Sequence, residues 1–180
     1  MNVVVISGPP ASGKSTLGRR LALDLSVAYL ARDDFKVGVY KAVATARLDS
    51  GVAGRASGEA WLAAVAAFVD EGAPVLADGV FNHPQDVERF RSFARERRLA
   101  CYELRLVCTE TTALERFANR NDPPLTEAIA ATVETAVRTM PERIVPDALD
   151  ALVVDTNDFG AVDYPTVRAR VARWVGPALR

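Results

Sequence analysis

The segment GPPASGKST at residues 8–16 directly follows the apolar run VVVIS and limits the possible folds more than any other part of the sequence. Its spacing is G-x-x-x-x-G-K-[ST], with Gly8 and Gly13 at the glycine positions, followed by Lys14 and Ser15. Glycines let the backbone curl so that successive N–H groups point inward, and the helix expected from Gly13 onwards directs the positive end of its dipole at the same point. The segment therefore predicts a phosphate-binding loop between a strand and a helix.

The motif assigns a role to most residues of this loop. Lys14 is expected to reach the β- and γ-phosphates of a nucleotide, and the Ser15 hydroxyl to bind Mg²⁺. Further nucleotide contacts are expected from Gly8, Ala11, Ser12, Gly13 and Thr16. The alternative is a glycine-rich turn without a ligand, but the flanks agree with the motif because a β-branched strand run precedes it and leucines at helical spacing follow it.

The rest of the chain alternates between strand and helix patterns. Strand candidates after the first (2–7) are 27–32, 74–80, 100–108 and 151–156. Helix candidates after the loop helix are 34–48, 58–72, 84–98, 110–120, 125–140 and 164–175. This alternation predicts parallel strands joined by right-handed crossovers. We expect one α/β domain over residues 1–180, a three-layer P-loop NTPase fold whose five-stranded parallel sheet has the order 2-3-1-4-5.

The segment DSGVAGRASG at residues 49–58 has three glycines and no apolar period. We expect it to be either a mobile loop beside the substrate or a plain connector.

Composition narrows the classes of partner. A formal net charge of −1 and a pI near 5.9 give no overall field for nucleic acid or anionic membranes. No apolar stretch approaches the roughly 18 residues of a membrane span, and the first residues lack a signal-peptide pattern. Cys101 and Cys108 share one strand candidate, where they would lie about 23 Å apart and could not form a disulfide. These features favour a cytoplasmic protein with reduced thiols.

A second polar cluster, ARDDFK at residues 31–36, ends the second strand candidate. Ligands of parallel α/β sheets gather at such strand ends. A carboxylate there can accept the proton of an attacking hydroxyl during phosphoryl transfer, and Asp33 is the expected base. Its neighbour Asp34 should point elsewhere. Asp33 is also expected to cap the next helix, a role that does not exclude catalysis.

GPPASGKST followed by RDDFK resembles a group of small P-loop kinases with an AAA-type ATP-binding domain. The group includes polynucleotide 5′-hydroxyl kinases, chloramphenicol phosphotransferase-like enzymes and zeta-toxin-like kinases. The polynucleotide-kinase pattern is a P-loop followed by R-D-D-[YF]-R, so the resemblance implies that Asp33 is the general base. Lys36 stands where that pattern has an arginine that contacts substrate or phosphate. A lysine offers a point charge instead of a planar fork, and this departure favours an acceptor other than a polynucleotide; the alternative for Lys36 is a solvated helix residue.

The third strand candidate ends in LADGVFNHP at residues 76–84, which is similar to the strand-end aspartate segment of the same kinases. Asp78 is expected beside the phosphate loop, where it holds a Mg²⁺-bound water or hydrogen-bonds the acceptor; the alternative is a buried carboxylate bonded to loop N–H groups. Phe81 and Asn82 follow at the expected acceptor position, although Phe81 is also explained as an apolar plug. His83 is best explained as a flank of the next helix.

The segment ALERFANR at residues 113–120 places Arg116 and Arg120 on one helix face, four residues apart. Phosphoryl transfer needs positive charge over the transferring group. The resemblance implies a lid at about residues 110–125, with one of these arginines closing over the γ-phosphate. The alternative is a solvated pair, with Arg116 near Glu115.

The last strand candidate ends in VVDTND at residues 153–158. In these kinases the corresponding loop packs on the adenine through its backbone, so the resemblance implies that Thr156 and Asn157 contact the nucleotide. The alternative is an ordinary turn. Arg143 could reach phosphates, but nothing local singles it out.

Together these features predict an ATP- and Mg²⁺-dependent kinase that phosphorylates a hydroxyl of a small metabolite or antibiotic. One rival is a polynucleotide 5′-hydroxyl kinase, which would need a positively charged groove leading to Asp33. Another is a nucleotide-binding switch without transfer activity, and a kinase acting on a nucleotide sugar also stays open. The expected partner is a small-molecule acceptor, with nucleic acid less favoured.

Overall fold

A five-stranded parallel sheet of order β2-β3-β1-β4-β5 forms the centre of the protein. The computed structural model describes residues 1–42, 50–79, 84–119, 145 and 147–176. The strands are β1 (Asn2–Ser7), β2 (Ala28–Ala31), β3 (Val75–Asp78), β4 (Ala100–Val107) and β5 (Asp150–Asp155). All four pairs of neighbouring strands are parallel. The predicted fold class and strand order are confirmed.

Six helices occur in the described ranges and cover both faces of the sheet. They are α1 (Lys14–Leu25), α2 (Arg32–Ala42), α3 (Ser50–Asp70), α4 (Pro84–Glu96), α5 (Glu110–Ala118) and α6 (Tyr164–Val175). A 3₁₀ turn, Phe159–Ala161, follows β5. One core joins the sheet to α3 and α4, and the other joins it to α1 and α6. The three-layer arrangement follows from these two cores.

The central strand β1 explains why the first apolar run has no polar alternation. Val3 and Val5 face α3 and α4, whereas Val4 and Ile6 face α1 and α6. All four side chains are fully buried. A parallel strand covered by helices on both faces needs apolar residues at every position, and this is the pattern that made β1 recognisable.

The described part of the glycine-rich segment that was expected to be a loop or a connector, residues 50–58, is instead helical and forms the start of α3. Each glycine lowers helix stability by about 1 kcal/mol relative to alanine, so the local sequence does not favour this helix. Contacts between α3 and α2 compensate for this low helix propensity. The Arg32 guanidinium donates to Gly54 O (3.4 Å) and lies where a side chain at Gly58 would project, since a Cβ there would be 3.2 Å from Nη2.

Other boundaries differ by a few residues. Helix α2 begins directly after β2 at Arg32, so Asp33 lies in its first turn and the expected N-cap role was wrong. The predicted continuation of α2 to residue 48 and the predicted helix at 125–140 fall on residues outside the described ranges, apart from 34–42.

Both cysteines are free thiols, one in β4 and one just beyond it. Burial raises the pKa of the Cys101 thiol to about 11, and burial also raises the pKa of the half-buried Cys108. In the ranges that the structure describes, no helix is both long and apolar enough to cross a bilayer.

Candidate active site

The predicted phosphate loop connects β1 to α1 and adopts a conformation that glycine permits. Gly8 has φ +144° and Gly13 has φ +89°, with Ala11 at φ +60° between them. A Cβ at Gly8 would lie 2.4 Å from Leu106 O, and one at Gly13 would lie 2.5 Å from the ring of Phe159. Both glycines are therefore required by close packing as well as by φ. The loop forms a cradle of the kind that binds anions through backbone N–H groups.

Lys14 carries the positive charge of this loop. The residue is 7% exposed, and its Nζ donates to Gly8 O (3.0 Å) and Pro9 O (2.7 Å). Ser12 is fully buried, and its hydroxyl has no hydrogen-bond partner in the described part of the chain. A buried ammonium and an unpartnered hydroxyl in one curled loop fit the oxygens of a phosphate group.

The other loop residues take different positions. Ala11 is buried against Phe117 of α5, so it connects the loop to that helix. Thr16 is exposed in the first turn of α1. Their predicted nucleotide contacts stay predictions.

Ser15 and Asp78 meet beside the loop, because Asp78 ends β3 in register with Ile6 of β1. Ser15 Oγ donates to Asp78 Oδ2 at 3.3 Å, and Asp78 is only 4% exposed. Burial raises the pKa of the Asp78 carboxyl, whereas the Lys14 ammonium and hydrogen bonds to the carboxylate act in the opposite direction. A hydroxyl and a carboxylate at this spacing are hard oxygen donors and fit Mg²⁺.

Tyr29 also belongs to this site, although no sequence pattern indicated it. Its hydroxyl donates to Asp78 Oδ2 at 2.5 Å, and a Cβ at Gly18 of α1 would lie 2.5 Å from its ring. Burial raises the pKa of Tyr29 above its ordinary value, so the hydroxyl stays protonated and able to donate. In sequence, a tyrosine in a strand is a common β-former, and nothing local indicates that it reaches a carboxylate on the next strand.

Asp33 is exposed at the carboxyl end of β2 and lies close enough to Asp78 for its charge to raise the pKa of that carboxyl. Asp34 instead forms an exposed ion pair with Arg19 of α1 at 3.5 Å. Lys36 is partly buried and follows Asp33 by three residues, which places both on one side of α2. The roles of Asp33 as base and of Lys36 as a substrate contact stay predictions.

Arg116 connects α5 to the loop after β5. Its Nη2 donates to Thr156 O (2.7 Å) and Asn157 O (3.1 Å). Its Nη1 is buried and has no partner in the described ranges. The catalytic role predicted for Arg116 stays a prediction, and its observed contacts are with backbone carbonyls.

The side chains of Thr156 and Asn157 also hold this loop in place. Thr156 is fully buried, and its Oγ1 lies 2.9 Å from Ser12 O, which connects the loop after β5 to the phosphate loop. Asn157 Oδ1 accepts from Thr109 N (2.8 Å) and Thr112 Oγ1 (3.1 Å) at the start of α5. The nucleotide contacts predicted for these two residues stay predictions, and any such contact would come from the loop that these bonds support.

Several predicted residues lie outside the described ranges. They are Phe81, Asn82, His83, Arg120 and Arg143, together with the part of the predicted lid from residue 120 onwards.

This strand order, with a phosphate loop after β1 and a buried aspartate at the end of β3, is that of a P-loop protein with a kinase-like α/β fold. A family model described as "AAA domain" matches residues 3–144. The chain belongs to this family, a P-loop kinase family. No curated protein sequence matches the chain significantly.

Solved structures share the fold over nearly the whole chain. A Chloroflexus aurantiacus protein, provisionally described as a kinase, superposes with a TM-score of 0.78 at 21% identity, covering 96% of this chain and 94% of its own. Chaetomium thermophilum Kti12, solved with ADP-AlF3, has a TM-score of 0.69 at 19% identity over 97% and 99% of the two chains. A gluconokinase from Sinorhizobium meliloti has a TM-score of 0.60 at 19% identity over 96% and 94%. At these identities the likeness shows the fold.

Proposed function

We propose that the protein transfers the γ-phosphate of ATP, with Mg²⁺, to a hydroxyl group of a small metabolite or antibiotic. The observation that carries this proposal is the meeting of three strand ends at one place. The phosphate loop follows β1, Asp33 follows β2 and Asp78 ends β3, and Asp78 is bonded to Ser15 of the loop. A phosphate site, an oxygen-donor pair and an exposed carboxylate thus lie side by side, as phosphoryl transfer requires.

Each of these residues has a definite task in the proposed reaction. Lys14 and the loop N–H groups hold the phosphates, and Ser15 with Asp78 holds Mg²⁺. When bound, Mg²⁺ neutralises negative charge on the phosphate oxygens. Asp33 accepts the proton of the acceptor hydroxyl as its oxygen bonds to the γ-phosphorus, and the bond from that phosphorus to ADP breaks. Arg116 is proposed to add positive charge over the transferring group, and Arg120 is its alternative.

The charges near Asp33 support a small acceptor. Arg19 and Arg32 each have a carboxylate partner, Asp34 and Asp86 respectively, so part of the positive charge near Asp33 is already balanced within the protein. The fold similarity to a gluconokinase supports a polyhydroxylated acceptor of small size. A polynucleotide acceptor would require a positively charged groove at this position.

The test is transfer of label from γ-labelled ATP to a panel of acceptors in the presence of Mg²⁺. The panel contains sugars, sugar acids, nucleosides, aminoglycosides, chloramphenicol-like compounds and 5′-hydroxyl oligonucleotides. Label on one small-molecule class supports the proposal, and label on oligonucleotides alone would replace it with the polynucleotide alternative. Binding of ATP without transfer to any acceptor would favour a nucleotide-dependent switch.

Two neighbouring aspartates provide a matched pair of variants for this assay. Asp33→Asn should reduce transfer by about 10²–10⁴-fold, the usual contribution of a general base, with ATP affinity unchanged. Asp34→Asn should leave transfer near the wild-type rate, because Asp34 faces Arg19 on the surface. Full activity of Asp33→Asn would contradict the assignment of the base.

Lys14→Ala should weaken ATP binding, because the variant lacks the ammonium group proposed to hold the phosphates. Unchanged ATP affinity would contradict the assignment of the phosphate loop itself.

A further inference from the structure

We propose that Tyr29 is a positioning residue of the metal site, whose hydroxyl orients the Asp78 carboxylate toward Ser15. The inference rests on the proposed function, because it concerns the two residues that would hold Mg²⁺. It adds a residue that no motif contains, since Tyr29 lies between the phosphate loop and the RDDFK segment.

Two hydroxyl groups donate to the same carboxylate oxygen. Tyr29 Oη lies 2.5 Å from Asp78 Oδ2, and Ser15 Oγ lies 3.3 Å from that oxygen. The shorter bond from Tyr29 is the stronger restraint on rotation of the carboxylate, because hydrogen bonds to a charged acceptor weaken with length. The longer bond leaves Ser15 Oγ free to turn toward a cation without removing the only donor to Asp78 Oδ2. Tyr29 therefore keeps the carboxylate in place whether or not Ser15 is engaged.

The tyrosine ring is itself held by rigid elements. Tyr29 belongs to β2 and is in register with Leu76 of β3, two residues before Asp78. Its ring lies against Gly18, where a Cβ would be 2.5 Å from Cε2, and Gly18 is one helical turn after Ser15. The Tyr29 hydroxyl thus holds the Asp78 carboxylate of β3 in a fixed position relative to both β2 and α1. A group supported in this way holds its partner more precisely than one on a loop.

A purely structural role is the competing explanation, because a buried carboxylate needs donors whatever its function. The two explanations differ in what they predict for the metal. If the hydroxyl orients Asp78, its removal should weaken Mg²⁺ binding more than nucleotide binding. If it only satisfies a buried group, its removal should lower the melting temperature and leave the Mg²⁺ requirement unchanged.

The test compares Tyr29→Phe with the matched control Tyr164→Phe. Each variant loses one hydroxyl that donates to an aspartate, since Tyr164 donates to Asp24 at 2.6 Å on the surface. ADP binding is measured by calorimetry across a series of Mg²⁺ concentrations and in EDTA, and Mn²⁺ in the ADP complex is observed by electron paramagnetic resonance. Tyr29→Phe should need about tenfold more Mg²⁺ to reach half of the maximal Mg²⁺-dependent increase in ADP affinity. This is a typical effect of losing a hydrogen bond to a charged group. Its ADP affinity in EDTA and the whole behaviour of Tyr164→Phe should match the wild type.

A second variant, on helix α1, tests the position of the same hydroxyl. Gly18→Ala removes no polar group, but its Cβ would lie 2.5 Å from the Tyr29 ring and 2.9 Å from Ile6 Cδ1, so it should shift the Tyr29 hydroxyl and also raise the Mg²⁺ requirement. It keeps the proposal testable if Tyr29→Phe does not fold. An unchanged Mg²⁺ requirement in folded Tyr29→Phe, or an equal loss of ADP affinity with and without Mg²⁺, would overturn the inference. If ADP binding by the wild-type protein were independent of Mg²⁺, that result would instead contradict the proposed function.

Discussion

Arg32 and Asp86 form a two-point ion pair next to Asp33, the proposed catalytic base. Nη1 lies 3.0 Å from Oδ2 and Nη2 lies 3.3 Å from Oδ1, with the side chains 17% and 19% exposed. The same guanidinium contacts α3 at Gly54 and Gly58. Because Arg32 directly precedes Asp33, this pair fixes the first turn of α2 relative to α3 and α4.

Removing one partner of this pair should destabilise the protein. Asp86→Ala leaves a largely buried guanidinium without its carboxylate, and we expect the free energy of unfolding to fall by about 2 kcal/mol. Denaturant unfolding measures the change. Glu88→Ala is the control on the same helix, because Glu88 pairs with Arg95 at 2.6 Å with both side chains exposed. That loss should be less than about 1 kcal/mol. Equal losses in the two variants would show that the largely buried Arg32–Asp86 pair adds no more stability than an exposed ion pair.

Gly13→Ala should damage the phosphate loop through backbone and packing together. Its φ of +89° costs a non-glycine residue about 1–3 kcal/mol, and the added Cβ would lie 2.5 Å from the ring of Phe159. We expect ADP affinity to fall by more than about tenfold. Adding Phe159→Ala should restore part of the loss, since it removes the collision but not the strained φ. Gly38→Ala, on the open side of α2, should leave binding unchanged and slightly stabilise the helix. A Gly13→Ala protein with wild-type ADP affinity would contradict the proposed cradle.

Arg116→Met separates two roles of the arginine on α5. Its hydrogen bonds to Thr156 O and Asn157 O predict that the variant melts at a lower temperature and binds ADP more weakly, because the loop after β5 loses a support. Calorimetry and thermal unfolding measure both effects, with exposed Arg173→Met as the control. A large fall in kcat with unchanged ADP affinity and melting temperature would instead assign Arg116 directly to the transferring phosphate.

Stability should depend on pH through Asp150 at the start of β5. Hydrogen bonds from Trp174 Nε1 (3.0 Å) and Arg170 lower the pKa of this carboxyl. A lowered pKa in the folded state means that the folded protein binds protons less readily than the unfolded chain. The stabilising contribution is therefore present above the unfolded pKa of about 3.9 and is lost as the pH falls through the folded value.

Thermal unfolding between about pH 6 and pH 3 measures this effect. The melting temperature of the wild type should decrease more over this range than that of Asp150→Asn, because the variant has no titratable group at that position. A parallel decrease in the two proteins would show that Asp150 does not contribute to acid destabilisation.

The boundaries that agreed with the sequence analysis belong to elements whose pattern is complete within a few residues. Strand β1 (Asn2–Ser7) and helix α6 (Tyr164–Val175) have the predicted limits. Apolar residues occur at successive positions of β1 because both faces of that strand are buried, and at helical spacing in α6 because one face of that helix is buried. The helical conformation of residues 50–58 was not predicted, because the contacts that support it, such as the hydrogen bond from Arg32 to Gly54 O, come from another part of the chain.

The amino-acid sequence alone predicts the phosphate loop, the parallel α/β fold and the strand ends at which chemistry is expected. These are short-range properties, because φ-permissive glycines, an adjacent lysine and apolar periodicity act within one turn or one strand. Which side chains meet across those strand ends depends on how the elements pack in three dimensions. The bonds of Asp78 with Tyr29, 49 residues away, and of Asp86 with Arg32, 54 residues away, depend on strand order and helix packing. No local pattern encodes such pairs, because parallel crossovers bring together residues that are distant in the chain.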